Sequence, residues 1–413
     1  RVSNIIYNPT ESFPIFYKIT KGKFLSEIID ILLKPIQYAI NLTSLDYFVM
    51  LEDYMMSKKY PFSQTQIKLI DIFLKDPEFD VKQVSRLTGI STNRIYREIN
   101  YLIRNHIISK YYVVRHKLID IKTYIMVLYH IPNYMKFLRK IKKLPFLFSV
   151  NPFIERDGGI VACFMIPKNL NNIRLIKQFY LEHQQPNSIF ESVDNIVTNW
   201  NLSHYNPNYP NCWNVSPYAW TLWMKKILKE CNWYEILDEG SIIPHEESSV
   251  LDQLSKLDME ILAALDYKYL TVRQLRKKLQ KNMNALVSSI KKLKAIGVLR
   301  VKSTMYFSGL NEALYITAEG PREFMLAFLA ALNDLPRHNT AITDNKITIR
   351  LTSFIYLPEG AAIPFCKAVN NVLHDDVNEL KIHFLGPTYG GTYRLPVELY
   401  NVSKKRWSGI NID

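Results

Sequence analysis

The side chains best suited to chemistry lie on one face of a helix that the sequence predicts to begin at Ser91. Ile95, Ile99 and Leu102 recur at helical spacing and face a core. The opposite face is polar and carries Asn93, Arg97, Asn100 and Arg104, with Arg94 on its flank. Arginine and asparagine form paired hydrogen bonds to planar acceptors and also bind phosphate oxygens, and Ser91 and Thr92 at the helix start suit a phosphate. This chemistry predicts contacts with the grooves of duplex DNA.

A second stretch, about 191 residues further on, repeats the pattern with other polar residues. Leu286, Ile290 and Leu293 face inward, and the outward face is basic and polar. The sequence from Tyr267 to Asn311 contains many Lys and Arg residues and no Asp or Glu, which favours a polyanionic partner. The candidate DNA-binding residues of both stretches are Ser91, Thr92, Asn93, Arg94, Arg97, Asn100, Arg104, Arg115, Lys277, Lys278, Lys281, Asn284, Ser288, Lys291, Lys292 and Arg300.

The elements that position these faces also occur twice. Three short helices are followed by a strand pair or wing, at 107–114 in the first copy and 298–301 in the second. The order strand, helix, strand, strand, helix, strand comes next in each copy. These elements are predicted at 124–131, 133–144, 146–154, 160–166, 169–183 and 188–198, and again at 313–318, 321–335, 340–344, 347–357, 361–373 and 377–385. Helices before a wing indicate a winged helix-turn-helix, and the βαββαβ order indicates a ferredoxin-like unit.

The predicted fold class is therefore α+β, with two winged helix-turn-helix domains that are each followed by a ferredoxin-like domain. Residues 1–62 are predicted to form an N-terminal α+β segment, interpreted as a degenerate ferredoxin-like fragment. The first winged domain spans 63–120, the first ferredoxin-like domain 121–206 and an aromatic-rich connector 207–253. The second winged domain spans 254–311, and the second ferredoxin-like domain with a C-terminal extension spans 312–413. A helix is expected at 217–231 in the connector. Its tryptophans are expected to pack against neighbouring domains and not to stack on bases.

Composition restricts the class of protein. The chain has 413 residues, a net charge of +14 and 48% hydrophobic residues, which predicts globular domains and an anionic partner. Four scattered cysteines predict reduced thiols in a cytoplasmic protein, and no stretch is long and apolar enough to span a membrane. The chain begins at Arg1 and not at Met, which leaves room for further residues upstream.

The stretch Val84-Ser85-Arg86-Leu87-Thr88-Gly89-Ile90-Ser91 with the helix after it is similar to the recognition-helix pattern of the Lrp/AsnC (leucine-responsive, feast/famine) family of prokaryotic transcription factors. The resemblance covers 63–198 and, by repeat register, 254–385. It implies pairing of ferredoxin-like domains, either between two chains as a homodimer or within this chain as a pseudo-dimer. It also implies a small-molecule effector, although the family's Gly-x-x-Asp loop has only a partial counterpart at 156–159 and none at 343–346.

Two other functions remain open. The predicted architecture also resembles that of the siroheme decarboxylases, which act on a tetrapyrrole. Such an enzyme would require a histidine and basic residues clustered at a ferredoxin-like sheet. A winged-helix adaptor that binds protein is the other alternative. The sequence has no P-loop, no HExxH and no G-x-S-x-G, so we predict no catalytic residue, no metal site and no cofactor. The expected function is a sequence-specific regulator of transcription that binds double-stranded DNA and is not an enzyme.

Overall fold

The structure, a computed structural model, describes residues 62–410 apart from 106, 132–133, 155–157, 210–211, 231–232, 238–247, 307, 374–375, 387–388 and 391–392. The α+β segment expected at 1–62 lies outside the described residues, except for Phe62. The described part combines helices with antiparallel sheets, and the coarse prediction of a mixed α+β fold is confirmed. None of its helices is long and apolar enough to cross a membrane.

The first half of the described chain begins with three helices. They are α1 (Gln64–Lys75), α2 (Val81–Thr88) and α3 (Thr92–Arg104), followed by strand β1 (Ile108–Val114). Ser63 and Gln66 form reciprocal side-chain hydrogen bonds that cap the start of α1. Gly89 ends α2 at a positive φ of 70°, which a glycine adopts without steric cost, and so directs the chain into α3.

A sheet and two helices complete this half. The elements are β2 (Ile121–Tyr129), α4 (Tyr134–Ile141), β3 (Leu147–Pro152), β4 (Gly159–Pro167), α5 (Leu170–His183), β5 (Ile189–Val193) and β6 (Asn195–Trp200). Two helices follow, α6 (Pro217–Glu230) and α7 (Trp233–Ile236).

The second half has the same order of elements. It contains α8 (Lys256–Leu265), α9 (Val272–Leu279), α10 (Met283–Ala295), β7 (Leu299–Met305), β8 (Leu310–Pro321), α11 (Arg322–Leu332), β9 (Arg337–Asp344), β10 (Thr348–Pro358), α12 (Ala362–Leu373), β11 (Glu379–Phe384), β12 (Tyr389–Gly390), β13 (Tyr400–Asn401) and β14 (Arg406–Trp407). The bounds of α9, α10 and β7 each lie 191 residues after those of α2, α3 and β1.

Two five-stranded antiparallel sheets form the centre of the molecule. Their strand orders are β12-β3-β4-β2-β5 in the first sheet and β11-β8-β10-β9-β6 in the second. Helices α4 and α5 pack on one face of the first sheet, and α11 and α12 pack on one face of the second, where α6 covers these two helices. The remaining faces contact each other through apolar residues such as Val127 and Val161 from the first sheet and Tyr315 and Ala341 from the second. The two halves are therefore packed face to face within the chain.

Two predicted strand pairings are wrong, and both differences connect the halves. The single strand predicted at 188–198 is broken at Asp194, so that β5 belongs to the first sheet and β6 pairs with β9 of the second. The wing predicted within each copy is absent from the described residues, because β1 of the first half pairs with β7 of the second. Periodicity predicts where a strand occurs and does not predict which distant strand it pairs with.

The connector packs against the second half, as its aromatic residues predict. The indole N–H groups of Trp213 and Trp220 donate hydrogen bonds to the carbonyl oxygens of Ser308 at 2.7 Å and Ala331 at 2.9 Å. Both side chains are buried, and packing as the role of these tryptophans is confirmed. The predicted connector helix corresponds to α6, although Cys231, its predicted last residue, lies outside the described residues.

Candidate functional site

The polar face predicted for α3 is exposed. Ile95 and Leu102 are fully buried, whereas Asn93, Arg97, Asn100 and Arg104 face solvent, and the predicted orientation is confirmed. The cations contact nearby side chains: the guanidinium of Arg94 donates to the hydroxyl of Thr65 at 3.2 Å, and that of Arg97 lies 3.4 Å from the carboxylate of Glu98. Ser91 precedes the first turn, where its side chain makes no capping hydrogen bond. The position of Thr92 in that turn is half-buried.

The corresponding face of α10 is only partly available. Asn284, Ser288 and Lys291 are exposed, as predicted. Lys292 is directed to its own domain, where its ammonium donates to the carboxylate of Asp258 at 2.7 Å and to the carbonyl of Gln253 at 2.6 Å. Lys292 therefore stabilises the helical unit itself.

The remaining basic candidates lie in three places. Lys277 and Lys278 are exposed in the last turn of α9, and Lys281 lies 3.6 Å from the carboxylate of Glu260. Arg115 and Arg300 are near the same end of the ribbon that β1 and β7 form.

A different site lies at one end of the interface between the two sheets. A groove of about 390 Å³ is lined there by residues of both halves, which include Tyr180, Phe190 and Glu191 from the first half and Arg350, Glu379 and Lys381 from the second. We call it the inter-sheet groove. Its volume falls in the range typical of small-molecule sites.

Arg350 is the centre of the charged residues in the inter-sheet groove. Its guanidinium donates to the carboxylate of Glu191 across the interface at 2.7 Å and to that of Glu319 on the neighbouring strand at 2.8 Å. A third carboxylate, that of Glu379, lies 3.4 Å away. Burial alone would lower the pKa of Arg350, but the charges of Glu191 and Glu319 outweigh burial and raise it. Arg350 is therefore a permanent cation whose hydrogen bonds are already directed to protein carboxylates.

Lys381 is the second cation of the groove. Its ammonium pairs with Glu379, lies 3.5 Å from the carbonyl oxygen of Asn187 and is 5.4 Å from the centre of the Tyr129 ring. An ammonium group has three N–H donors, and a single carboxylate compensates this one. Lys381 is thus the groove cation best able to accept an additional anionic partner.

Glu191 differs from the other carboxylates because its environment favours the neutral form. Burial raises the pKa of Glu191, Arg350 opposes this effect, and the like charges of Glu319 and Glu379 add to the increase. The side chain is 15% exposed. The groove therefore combines two fixed cations with a carboxyl group that gains a proton more readily than an ordinary glutamate.

The equivalent end of the interface is filled with aromatic rings. In the second sheet Arg350 lies opposite Glu319, and at the same place in the first sheet Gly159 lies opposite Tyr129. A Cβ atom on Gly159 would lie 2.6 Å from the ring of Phe153, so this position has no room for a side chain such as that of Arg350. Because the two halves have diverged, the charged groove lies at the end that contains Arg350 and not at the end that contains Gly159.

Sequence reasoning did not find the groove residues. Glu191, Arg350 and Lys381 lie on three different strands and form no local motif. The available signal was a departure from the repeat, since a charged residue stands in the second copy where the first has glycine or an aromatic residue. The constant shift of about 191 residues already matches Arg350 to Gly159, whereas the strand pairing is needed to match Glu319 to Tyr129.

No family model matches the chain, and no curated protein matches it. Among solved structures, the chain is similar to the siroheme decarboxylase NirDL at 10% identity and a TM-score of 0.46, with 79% of this chain and 93% of that chain covered. The structure of the same enzyme with an iron-uroporphyrin III analogue matches at the same identity and TM-score, with 91% of that chain covered. A protein described as PH0061 matches at 15% identity and a TM-score of 0.26, over 32% of this chain and 93% of that chain.

These comparisons correct the predicted function. The two matches that cover most of the chain are structures of an enzyme, and they contradict the prediction of a DNA-binding regulator of transcription without enzymatic activity. They agree with an Lrp/AsnC-like relationship at most. A likeness at this identity and TM-score assigns no activity to this chain. Within the described residues, no group of three or more His, Cys, Asp and Glu side chains is placed to hold a metal ion.

Proposed function

We propose that this chain is an enzyme that acts on a carboxylate-bearing small molecule in the inter-sheet groove, with tetrapyrrole carboxylates as its substrate class. The observation that carries the proposal is the position of Lys381 and Arg350 in one groove that residues of both halves line. In the proposed architecture, two helix-turn-helix units that share the ribbon of β1 and β7 as their wing, and two ferredoxin-like units, form a pseudo-dimer within one chain. The groove lies between its ferredoxin-like sheets.

The two cations of the groove, Arg350 and Lys381, have different roles in binding. Arg350 is held by Glu191 and Glu319, so it fixes the shape and charge of the groove floor. Lys381 shares its ammonium with Glu379 alone among the carboxylates within ion-pair distance in the described residues, so a substrate carboxylate binds as its second anionic partner.

Tyr180 and Phe190 border the groove. Their rings stack with centroids 5.5 Å apart, and Phe190 also stacks on Tyr124 at 5.3 Å, so protein rings cover both of its faces. A tetrapyrrole has carboxylate arms at the edge of its ring, so one arm reaches Lys381 while the ring lies beside these residues. A groove of about 390 Å³ takes one edge of such a ring and leaves the remainder in solvent.

The proposal is also supported by residue types that a resemblance to siroheme decarboxylases implies, a histidine with basic residues at a ferredoxin-like sheet. His383 lies two residues after Lys381 on β11, and the alternation of a strand places both side chains on the face that meets the first sheet. The imidazole of His383 stacks on Phe153 at 4.3 Å, behind the groove. Histidine and basic residues thus cluster at the second sheet.

A decarboxylation fits this set of residues. The bond between the carboxyl carbon and its neighbour breaks, carbon dioxide leaves, and the neighbouring carbon retains the electron pair and takes a proton. Such a reaction requires a cation that holds the carboxylate and an acid that returns the proton. The groove contains both kinds of group.

Binding tests the proposal directly. Titration of the chain with iron-uroporphyrin III is expected to change the visible absorption of the ligand and to saturate at one ligand per chain. Replacing Lys381 with Met keeps the apolar stem and removes the charge, so we expect at least a tenfold loss of affinity, about 1.4 kcal/mol. The matched control is Lys177→Met, which removes an exposed charge from α5 outside the groove. Equal affinities of the two variants would contradict the proposal, as would the absence of binding to the unmodified chain.

A further inference from the structure

Glu191 is the residue of the first sheet that contacts the charged side chains of the groove. It lies on β5, and its carboxylate contacts the guanidinium of Arg350 on β10 at 2.7 Å. Arg350 also donates to Glu319 on β8, which accepts a further hydrogen bond from the hydroxyl of Thr348 at 3.3 Å. Glu319 is therefore satisfied by more donors than Glu191.

The fixed charges of the groove do not balance. The charged groups that face Glu191 are Arg350 on β10, Glu319 on β8, and Glu379 and Lys381 on β11, with the phenol of Tyr180 on α5 as a further titratable group. Three carboxylates thus surround two cations. A ligand carboxylate would leave two negative charges in excess among carboxylates that are only 15% to 28% exposed, where repulsion between like charges is stronger than in water.

Protonation of one of the carboxylates would relieve this repulsion. Glu191 is the best placed, since its side chain is the least exposed of the three at 15%, against 19% for Glu319 and 28% for Glu379. Desolvation favours the neutral form most strongly where exposure is lowest. The raised pKa of Glu191 agrees with this geometric order.

We propose that a carboxylate ligand binds in the inter-sheet groove together with one proton, which Glu191 holds and donates to the ligand carboxylate. This inference rests on the proposed function, because it needs a carboxylate ligand in the groove. The protonated Glu191 donates its O–H to the ligand oxygen, so that an acid and a carboxylate share one proton. The same proton is then available to the carbon from which carbon dioxide leaves.

The coupling has a definite pH dependence. Where Glu191 is ionised in the free chain, each bound ligand takes up one proton from solution, and the affinity falls about tenfold per pH unit as the pH rises. Where Glu191 is already protonated, the affinity does not change with pH for this reason. The affinity is therefore highest on the acidic side of the Glu191 pKa.

Calorimetry measures the proton directly. Binding of iron-uroporphyrin III to the full chain is measured at several pH values in phosphate and in Tris, whose heats of protonation differ, and the difference in binding heat gives the protons taken up. We expect uptake that rises with pH and approaches one proton per ligand where Glu191 is ionised in the free chain. Glu191→Gln keeps the shape of the side chain and cannot ionise, so we expect this uptake and the steep loss of affinity with pH to disappear while binding remains.

Glu182→Gln is the matched control, because it removes an exposed carboxylate of α5 outside the groove. It is expected to retain proton uptake. Glu379→Gln removes the other carboxylate that lines the groove beside Arg350. Binding by the unmodified chain with equal heats in both buffers would overturn the role of Glu191 and leave the proposed function intact. Uptake that persists in Glu191→Gln and vanishes in Glu379→Gln would assign the proton to Glu379 and overturn the inference as well. A complete absence of binding would overturn both proposals.

Discussion

At the scale of single residues, the same side-chain type has different roles at neighbouring positions. Lys291 and Lys292 follow each other on α10, and the sequence assigns both to an outward basic face. Lys291 is exposed, whereas the ammonium of Lys292 binds the carboxylate of Asp258, whose side chain is only 2% exposed. Burial alone would raise the pKa of Asp258, but hydrogen bonds from Lys292 and Ser289 outweigh it and lower that pKa.

Replacing Lys292 with Met should destabilise the protein by about 2 kcal/mol, because the carboxylate of Asp258 loses its charged partner. Lys291→Met should change the free energy of unfolding by less than about 0.5 kcal/mol. Urea denaturation at neutral pH measures both values. A lowered pKa stabilises the folded state above the ordinary range of an aspartate and ceases to do so as the pH falls through the lowered value. The difference between the unmodified chain and Lys292→Met should therefore shrink in acid, and equal effects of the two substitutions would contradict this account.

Sequence reasoning at the residue scale succeeded where helical geometry decides the outcome. The inward positions of α3 and α10 and the exposure of Arg97 follow from the spacing of apolar residues. It missed Glu191 and Arg350, because their contact joins strands that are 159 positions apart in the sequence. No local pattern encodes such a pair.

At the scale of elements, the positions of helices were predictable and the partners of strands were not. The apolar spacing of α2 and α3 recurs in α9 and α10 because each unit buries the same face. The partner of β1 depends on a complementary edge in the other half. The ribbon of β1 and β7 shows how specific that contact is, since the hydroxyl of Ser303 on β7 lies 2.9 Å from the carbonyl oxygen of Phe73 on α1, to which it donates.

Ser303→Ala should cost about 1 kcal/mol of stability, because it removes a buried hydrogen bond between the halves. Ser109 on β1 provides the matched control. Its hydroxyl is buried without a hydrogen-bond partner among the described residues, so Ser109→Ala should be neutral or slightly stabilising. The midpoints of urea unfolding measure both effects. A loss of stability in Ser109→Ala that equals or exceeds that in Ser303→Ala would contradict the assigned contact.

At the scale of the whole molecule, the two halves exchange elements as well as contacts. Strand β6 from the first half is an edge of the second sheet, and β12 from the second half is an edge of the first. The inner faces of the sheets bury apolar side chains against each other. The sequence left open whether the ferredoxin-like units pair within the chain or between chains, because the repeat pattern is the same in both cases.

The exchange predicts that the described halves unfold together. Removing one half would expose the inner face of the other sheet and an unpaired strand edge, so neither half should be stable alone. Differential scanning calorimetry of the full chain should therefore show one transition for this region. Two transitions that respond separately to Ser303→Ala and Lys292→Met would contradict the coupling.

The most direct measurement of the central claim is a crystal structure of the chain with iron-uroporphyrin III. The account predicts one ligand at the inter-sheet groove, with a carboxylate within hydrogen-bond distance of the ammonium of Lys381 and of the carboxyl of Glu191. A ligand bound only at the basic faces of α9 and α10, with the groove empty, would contradict it.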